Sequence, residues 1–300
     1  MSENKSAHIN SQTTLAPALN GWEIFLKDRG NSSHTLKAFL GDLTLLANYL
    51  PPDRTLGNIS TNDLNNFLKW LVNDRGVPCS PKTLARRITS LKAFFRWLQK
   101  GGAILIDPAE KVVQKSVRSP LPEVLSADEL ESVVELAASY RRAPKPDTRY
   151  FTLVTLLLAT GIKKGEALNL SPNHIQIDAP ESPLLFVRYA NPKYRYKERK
   201  IQLPAYWLEA YDDYTAQHQL TDKLFPWSPR RLEYLLQDLS TEVGLDKQLS
   251  FSMCRWTCAL TDWQSNMERD KIRQKLGVSK VQWREVSEKL RRLDIQNPIS

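Results

Sequence analysis

Apolar residues recur at helical spacing through the first third of the chain. Residues 15–27 repeat large apolar side chains every three or four positions, which is typical of one buried helix face. A second periodic run follows the polar residues at 31–35, which suit a helix N-cap, and it stops at Pro51. Thr61 opens a third run and Ser80 caps a fourth. The pattern therefore predicts four helices.

The fourth helix, which begins at Pro81, has one apolar and one cationic face. At about 100° per residue, its large apolar side chains occupy an arc of about 120°. The opposite face interleaves small residues with cations and carries no carboxylate. Its cations are Lys82, Arg86, Lys92, Arg96 and Lys100. Such a face favours contact with DNA phosphates, and the alternative is an ordinary solvated surface.

A stretch with two prolines and few apolar anchors separates two predicted domains. Because proline and the residue before it favour extended backbone, residues 116–124 are interpreted as a linker. The N-terminal domain covers residues 15–115 and follows a polar, disordered lead at residues 1–14. The second domain covers residues 125–300.

The second domain mixes helices with short strands. Ser126 and Glu129 form a capping box at its first helix, and the polar residues 139–149 predict an exposed loop. Further helices are predicted over 151–159, 207–217 and 230–243, and from Val286 onward. Alternation and β-branched residues predict strands over 174–177, 184–189 and 200–203. The expected fold class is therefore mainly α, of the α+β kind, with a small three-stranded antiparallel sheet.

Composition narrows the function classes. The 300 residues are 41% hydrophobic and 25% charged, with a net charge of +9, which permits a polyanionic partner. No apolar run approaches the ~20 residues that span a bilayer, and the polar N-terminus lacks the apolar core of a signal peptide. We therefore expect a cytoplasmic protein, located at the bacterial nucleoid when DNA-bound, with no membrane partner and no small-molecule substrate.

Three cysteines are too few for a disulfide framework and indicate a reducing compartment. Cys254 and Cys258 lie four positions apart on a predicted helix, a spacing that permits a shared metal ion. No histidine lies nearby, so small buried thiols are the favoured interpretation. We expect no metal and no cofactor.

Two stretches of the second domain match a known pattern. Residues 156–168 read LLLATGIKKGEAL, and residues 249–260 read LSFSMCRWTCAL, followed by Leu276-Gly-Val. They resemble the catalytic boxes of the tyrosine recombinases, the phage integrase and Xer-type family. Residues 80–110 resemble the SAM-like core-binding domain of the same family. The resemblance implies a two-domain clamp that closes on duplex DNA.

Most of the family's reactive positions hold other residues here. Arg255 alone retains the family residue, at an arginine position. Lys163 stands at the second arginine position, Tyr194 at the hairpin lysine, Ser252 and Val278 at two histidine-type positions, and Ser287 at the nucleophilic tyrosine. A serine hydroxyl without activation is a weak nucleophile, and no tyrosine follows Tyr234 in this sequence.

These substitutions predict that the chain is not an enzyme. The resulting hypothesis is a DNA-binding pseudoenzyme, accessory to recombination or integration of a mobile element. One alternative is an active recombinase with an unorthodox site built on Lys163, Lys193 and Arg255. Another is a protein-interaction scaffold that does not bind DNA.

The resemblance also implies further contacts. Candidate DNA-binding cations of the second domain are Lys163, Lys164, Lys193, Arg195, Lys197, Arg199, Arg230, Arg231 and Arg255. Glu166 either orients the arginine side of the site or is a helix-surface charge. The C-terminal helix either enters another recombinase subunit, as it does in family members, or folds back on its own domain.

Overall fold

The computed structural model describes residues 9–114, 120–177 and 182–297. The chain forms two compact units, residues 1–119 and residues 120–300. They are called here the N-terminal unit and the C-terminal unit. Among the described helices, none combines the length and the apolar character that a bilayer span needs.

Within residues 9–114, the N-terminal unit contains the four predicted helices. They are α1 (Leu15–Asp28), α2 (Ser33–Tyr49), α3 (Thr61–Asn73) and α4 (Pro81–Lys100). Ser80 accepts a hydrogen bond from the backbone N–H of Thr83 and so caps α4, as predicted. The apolar face of α4 buries Phe94 and Phe95 in a core that it shares with Trp22. Full burial of such side chains contributes roughly 1.5–3 kcal/mol each.

The end of the predicted disordered lead is ordered. The backbone N–H groups of Leu56 and Gly57 donate to the carbonyls of Thr13 and Ser11, both at 2.8 Å. Ile9 packs against the core of the N-terminal unit. Residues 9–14 therefore form an edge of this unit, because both backbone hydrogen bonds and apolar burial hold them. Residues 1–8 of the predicted lead lie outside the described residues.

The C-terminal unit is helical around a small sheet. Its helices are α5 (Ala127–Arg142), α6 (Thr148–Thr160), α7 (Lys164–Ala167), α8 (Tyr206–Gln217), α9 (Pro229–Val243), α10 (Phe251–Gln264), α11 (Arg269–Lys275) and α12 (Lys280–Gln296). Strands β1 (Ile175–Gln176), β2 (Leu184–Val187) and β3 (Arg199–Gln202) form an antiparallel sheet in the order β1-β2-β3. The predicted fold class is confirmed.

Helix α6 runs through the centre of this unit. Its residues Phe151 to Leu157 are all buried, which explains the nearly continuous apolar sequence. Gly161 ends the helix in the left-handed conformation, with φ at 59°. A Cβ atom there would lie 3.3 Å from the Sγ of Cys258, so both backbone conformation and space favour glycine.

Two sequence predictions, of a loop and of the linker, change at their boundaries. The loop predicted over 139–149 is shorter, because α5 continues to Arg142 and Asp147 caps α6 through the N–H of Arg149. The C-terminal end of the predicted linker is packed, since Leu121 and Val124 lie in an apolar cluster with residues of α10, α11 and α12. Residues 115–119 lie outside the described residues.

The C-terminal helix begins earlier than predicted. Ser279 and Gln282 form a capping box, so α12 starts at Lys280 rather than near Val286. Helix α11, whose sequence is polar, was not predicted at all. Its Ile272 is fully buried, and this single apolar anchor is too little for a periodic signal.

Candidate phosphate-binding site

Glu166 of α7 is a buried carboxylate on which several elements converge. Arg199 at the start of β3 donates to both of its oxygens, at 3.1 and 2.9 Å. The hydroxyl of Tyr189 and the backbone N–H of Lys163 donate to it as well. Burial raises the pKa of Glu166, but these bonds outweigh burial and lower it to about 2. Glu166 is therefore an ionised structural centre and not a helix-surface charge.

Arg255 of α10, which the sequence resemblance aligns with an arginine position, is held by backbone carbonyls. Its Nη1 donates to the carbonyl of Gly161, and its Nη2 donates to that of Leu276 at 2.7 Å. Burial lowers the pKa of this guanidinium to about 10. Among the described residues no carboxylate pairs with it directly. Its positive charge therefore remains available to an anion that reaches the site.

Arg199 links the sheet to the C-terminal end of α11. Its Nε donates to the carbonyl of Lys275 at 2.6 Å. Gly277 packs directly on this guanidinium, since an added Cβ would lie 2.6 Å from Nη1, and its φ is 58°. These two restrictions explain why glycine stands at this family position. Arg199, predicted as a DNA contact, is instead committed to Glu166 and to two backbone carbonyls.

Lys163 is half-buried at the N-terminal end of α7. Burial lowers its pKa, and the charges of Arg255, Lys197 and Arg199 lower it further against the opposing effect of Glu166. Within the described ranges, its Nζ has no hydrogen-bond acceptor and no ion-pair partner. A cation repelled by neighbouring cations is stabilised when an anion arrives.

The predicted hairpin between β2 and β3 is present, and its tip is a 3₁₀ helix over Pro192–Lys197. The Nζ of Lys197 lies 5.0 Å from the ring centroid of Tyr194 and 5.3 Å from that of Tyr196. Lys193 and Arg195 are exposed. The tip thus presents cations and aromatic rings together, which suits contact with a nucleic acid.

The other candidate positions are dispersed. Ser252, at the start of α10, is exposed and lines a cavity of about 550 Å³ with Lys164, Arg230 and Tyr234. Lys164 pairs with Glu233 at 2.6 Å, and Arg230 donates to the hydroxyl of Tyr234 at 2.6 Å. Arg231 is exposed.

Two further substituted positions lie beside or on α12. Val278 packs in an apolar cluster with residues of α10 and α12. The hydroxyl of Ser287 on α12 donates to the carbonyl of Arg284 at 3.2 Å. None of the contacts found in the described residues joins Ser252, Val278 or Ser287 to Lys163 or Arg255.

The cationic face of α4 differs from its prediction in one respect. Lys82, Arg96 and Lys100 are exposed, and the Nζ of Lys92 approaches the carbonyl of Glu110 at 3.4 Å. Arg86, however, pairs with the buried Asp42 of α2. The sequence suggested a face without carboxylates because Asp42 lies 44 positions away and reaches α4 only through folding.

The two helical cysteines are buried thiols. Burial raises the pKa of Cys254 to about 12 and that of Cys258 to about 11. The Sγ of Cys258 lies 3.9 Å from an oxygen of Asp262. Asp262 in turn pairs with Lys275 at 2.7 Å, a contact that the sequence pattern did not indicate.

Comparison with known sequences places this geometry in context. Residues 19–102 match the family model of the phage integrase N-terminal SAM-like domain. Tyrosine recombinase XerC of Rhodospirillum centenum is 28% identical over 173 residues, 56% of this chain and 51% of that protein. A tyrosine recombinase of Thermosipho africanus is 30% identical over 178 residues, 59% of this chain and 58% of that protein. The chain spans about half the length of the curated relatives it matches.

Solved structures share the fold. A lambda integrase dimer bound to a COC′ core site has a TM-score of 0.71 at 18% identity, covering 95% of this chain and 81% of that one. The XerH site-specific recombinase in a post-cleavage complex with palindromic difH substrate has a TM-score of 0.72 at 19% identity, covering 94% and 84%. At these identities the likeness establishes the architecture alone.

The prediction that the chain is not an enzyme is wrong. Its curated relatives are named tyrosine recombinases, which are enzymes. Counting substituted family positions does not measure turnover, because other side chains of a site can take over charge stabilisation. The matched SAM-like domain, the named relatives and the shared architecture agree with the motifs around Arg255 and Gly277. The chain therefore resembles the tyrosine recombinases in sequence over about half of their length and shares their fold.

Proposed function

We propose that this chain binds duplex DNA and takes part in site-specific recombination as one subunit of a larger complex. The observation that carries the proposal is the cationic site at Lys163 and Arg255. The structural neighbours include recombinases bound to DNA and a lambda integrase tetramer on a Holliday junction, which supports DNA and other recombinase subunits as partners. Integration of a mobile element is the process that we propose it serves.

In this proposal the site receives one phosphate of the DNA backbone. Arg255 and Lys163 supply positive charge from a partly desolvated environment, where it acts more strongly than in water. The ion pair of Glu166 with Arg199 does not bind the phosphate. It holds β3 and the N-terminal end of α7 in register, so that Lys163 remains beside Arg255.

Lys163 makes this site different from the two-arginine pattern of the family. A guanidinium binds phosphate with two parallel N–H donors, whereas an ammonium acts as a point charge. We therefore expect the bound phosphate to be oriented mainly by Arg255, whose own position is fixed by two carbonyls. Lys163 adds attraction with less directional control.

The N-terminal unit adds backbone contacts in the same proposal. Lys82, Arg96 and Lys100 are the exposed cations of the α4 face. Each phosphate contact changes the slope of log affinity against log salt by about 0.9. Because Arg86 is paired with Asp42, it is expected to contribute less than its neighbours on this face.

For strand transfer we propose a rebuilt active site. Lys163 and Arg255 stabilise the charged phosphorane. The cationic tip at Lys193 and Lys197 belongs to the connection between β2 and β3, and the charge of Lys197 acts on Lys163. Ser287 stands at the family's nucleophile position. Its hydroxyl donates to the carbonyl of Arg284, a contact that does not activate it as a nucleophile.

The packing of the C-terminal helix α12 determines what an exchange of this helix between subunits would require. In the structure α12 packs against α10 of its own chain, and the Nε1 of Trp263 donates to Asp294 at 3.2 Å. This corresponds to the folded-back alternative for an isolated chain. An exchange of α12 between subunits would have to break that hydrogen bond and expose the buried Leu290 and Leu293.

DNA binding is tested by fluorescence anisotropy with mixed-sequence duplexes of about 40 base pairs across a series of salt concentrations. Lys163→Ala and Arg255→Ala are each expected to weaken binding and to flatten the salt slope by about one. The matched control is Lys271→Ala, an exposed lysine of α11 whose ion pair within the described part of the chain is with Glu268. Equal slopes for all four proteins would overturn the phosphate site.

Strand transfer is tested with nicked suicide duplexes of randomised sequence, followed by peptide mass spectrometry of any covalent protein–DNA adduct. An adduct that disappears in Lys163→Ala and Arg255→Ala supports the rebuilt site, and the modified peptide identifies the attacking residue. Binding without any adduct, from the chain alone or in mixed subunits, would reject cleavage by this site.

A further inference from the structure

We infer that the largely buried ion pair of Asp262 with Lys275, whose side chains are 12% and 17% exposed, holds the phosphate site in position. The inference rests on the proposed function, because it concerns the same Arg255. The Nζ of Lys275 lies 2.7 and 3.0 Å from the two oxygens of Asp262. Neither residue was singled out by the sequence motifs, and neither contacts Lys163.

Asp262 lies on the same helix as Arg255, whereas Lys275 is the last residue of α11. Arg255, Cys258 and Asp262 are separated by three and four positions on α10 and therefore share one face. The segment Lys275–Gly277, here called the clamp segment, crosses this face at the end of α11. Asp262 is thus attached to the same rigid helix as the arginine that the clamp segment contacts.

The clamp segment contacts both arginines of the site through consecutive backbone groups. The carbonyl of Lys275 accepts from the Nε of Arg199 at 2.6 Å. The carbonyl of Leu276 accepts from the Nη2 of Arg255 at 2.7 Å. The Lys275 side chain attaches this segment to α10 through an ion pair. It therefore fixes the positions of the Lys275 and Leu276 carbonyls.

Energetics argue for positioning rather than for stability. Burying two charges costs desolvation that their attraction hardly repays, and apolar pairs of similar volume often replace such pairs without loss of stability. Leu276, whose side chain is buried, already provides apolar attachment for the same segment. Apolar contacts have no preferred direction. The two hydrogen-bonded contacts of Lys275 with Asp262 do have one, and they fix the position of the clamp segment along α10.

The test removes both charges together, because a single substitution would leave one charge buried and unpaired. Asp262→Leu with Lys275→Met is compared with the wild type, and Glu288→Leu with Arg291→Met is the matched control on an exposed pair of α12. Unfolding by urea verifies that each variant is folded. Lys275→Arg keeps the charge and is expected to retain the wild-type exchange rate and DNA affinity. This variant keeps the inference testable if the apolar double variant does not fold.

The first readout does not depend on DNA. The Nε–H of Arg199 is protected by the carbonyl of Lys275, so its ¹⁵N NMR signal is expected to exchange faster with water in the apolar double variant. Unchanged exchange would overturn the inference, whatever the protein does with DNA. Faster exchange without any change in DNA affinity would limit the role of the pair to Arg199 and overturn its role at the phosphate site, whose own test is the salt slope of Lys163→Ala and Arg255→Ala.

The second readout is a double-mutant cycle on DNA affinity. Arg255→Ala is expected to weaken DNA binding about tenfold in the wild type and only about two- to threefold in the apolar double variant. The reason is that a misplaced guanidinium contributes less to the affinity, so its removal costs less. Equal factors in both backgrounds would show that the pair does not position Arg255. An equal loss of affinity in the control pair of α12 would assign the effect to the removal of any ion pair and not to the position of Arg255.

Discussion

Each unit of this protein contains a buried carboxylate that binds arginine, and the two carboxylates differ in what they leave free. In the N-terminal unit, Asp42 pairs with Arg86, whose side chain is 40% exposed, and accepts from Ser90 at 2.7 Å. In the C-terminal unit, Glu166 pairs with Arg199, whose side chain is 8% exposed. Asp42 removes one cation from a surface row, whereas Glu166 builds the frame in which Lys163 and Arg255 remain available.

The difference shows how a cationic surface and a cationic site are assembled. Lys82, Arg96 and Lys100 need only a helix face, because exposed cations bind phosphates without a fixed geometry. Lys163 and Arg255 are held by buried partners, so their positions depend on folding of the whole unit. Substitutions at Glu166 should therefore cost more than substitutions at Asp42.

The largest effect is expected for Glu166→Gln. Removing one partner of a buried ion pair leaves Arg199 uncompensated, which typically costs about 3–5 kcal/mol in the free energy of unfolding. Urea denaturation followed by tryptophan fluorescence measures it. A loss of unfolding free energy as small as that caused by breaking an exposed ion pair would contradict the structural role of Glu166.

Acid should weaken the C-terminal unit through the same group. The pKa of Glu166 falls from an ordinary 4.5 to about 2 in the folded state, so its contribution is complete above pH 4.5 and is lost as the pH falls toward 2. The difference corresponds to roughly 3 kcal/mol. Unfolding free energies between pH 5 and pH 2 should show this slope in the wild type. An equal slope in Glu166→Gln would assign it to other carboxylates.

Gly277→Ala is expected to cost about 1–3 kcal/mol, because the left-handed backbone and the guanidinium of Arg199 both oppose a Cβ. Gly165→Ala in α7 is the matched control, since a Cβ there meets no atom within 4 Å. Thermal unfolding of both variants makes the comparison. Equal midpoints would show that Arg199 does not pack against Gly277.

The smallest effect is expected for Asp42→Asn, at about 1–2 kcal/mol, because Arg86 can turn into water and the Nε of Arg87, at 3.6 Å from the same carboxylate, still faces an amide oxygen. The same substitution frees the guanidinium on the α4 face. DNA binding should then become steeper in salt by up to about one contact, which anisotropy titration measures. A flatter salt dependence would mean that Arg86 does not face DNA.

The sequence predicted much of the frame because local signals carried it. Periodicity and the Ser80 cap located α4, and the motif around Arg255 located the site. Tyr189, Asp42 and Lys275 left no such signal, since their partners lie 23, 44 and 13 positions away and meet only in the folded chain. The sequence predicts Arg199 as a DNA contact for the same reason. It shows that a cation stands at this position, but not that the buried carboxylate of Glu166 binds it in the folded chain.

The central claim is that Lys163 and Arg255 together receive a single DNA phosphate. The most direct measurement replaces phosphates of a bound duplex one at a time by neutral methylphosphonate and records affinity for the wild type and for Lys163→Ala with Arg255→Ala. The account predicts one position at which the wild type loses affinity and the double variant does not. Identical profiles for the two proteins would contradict it.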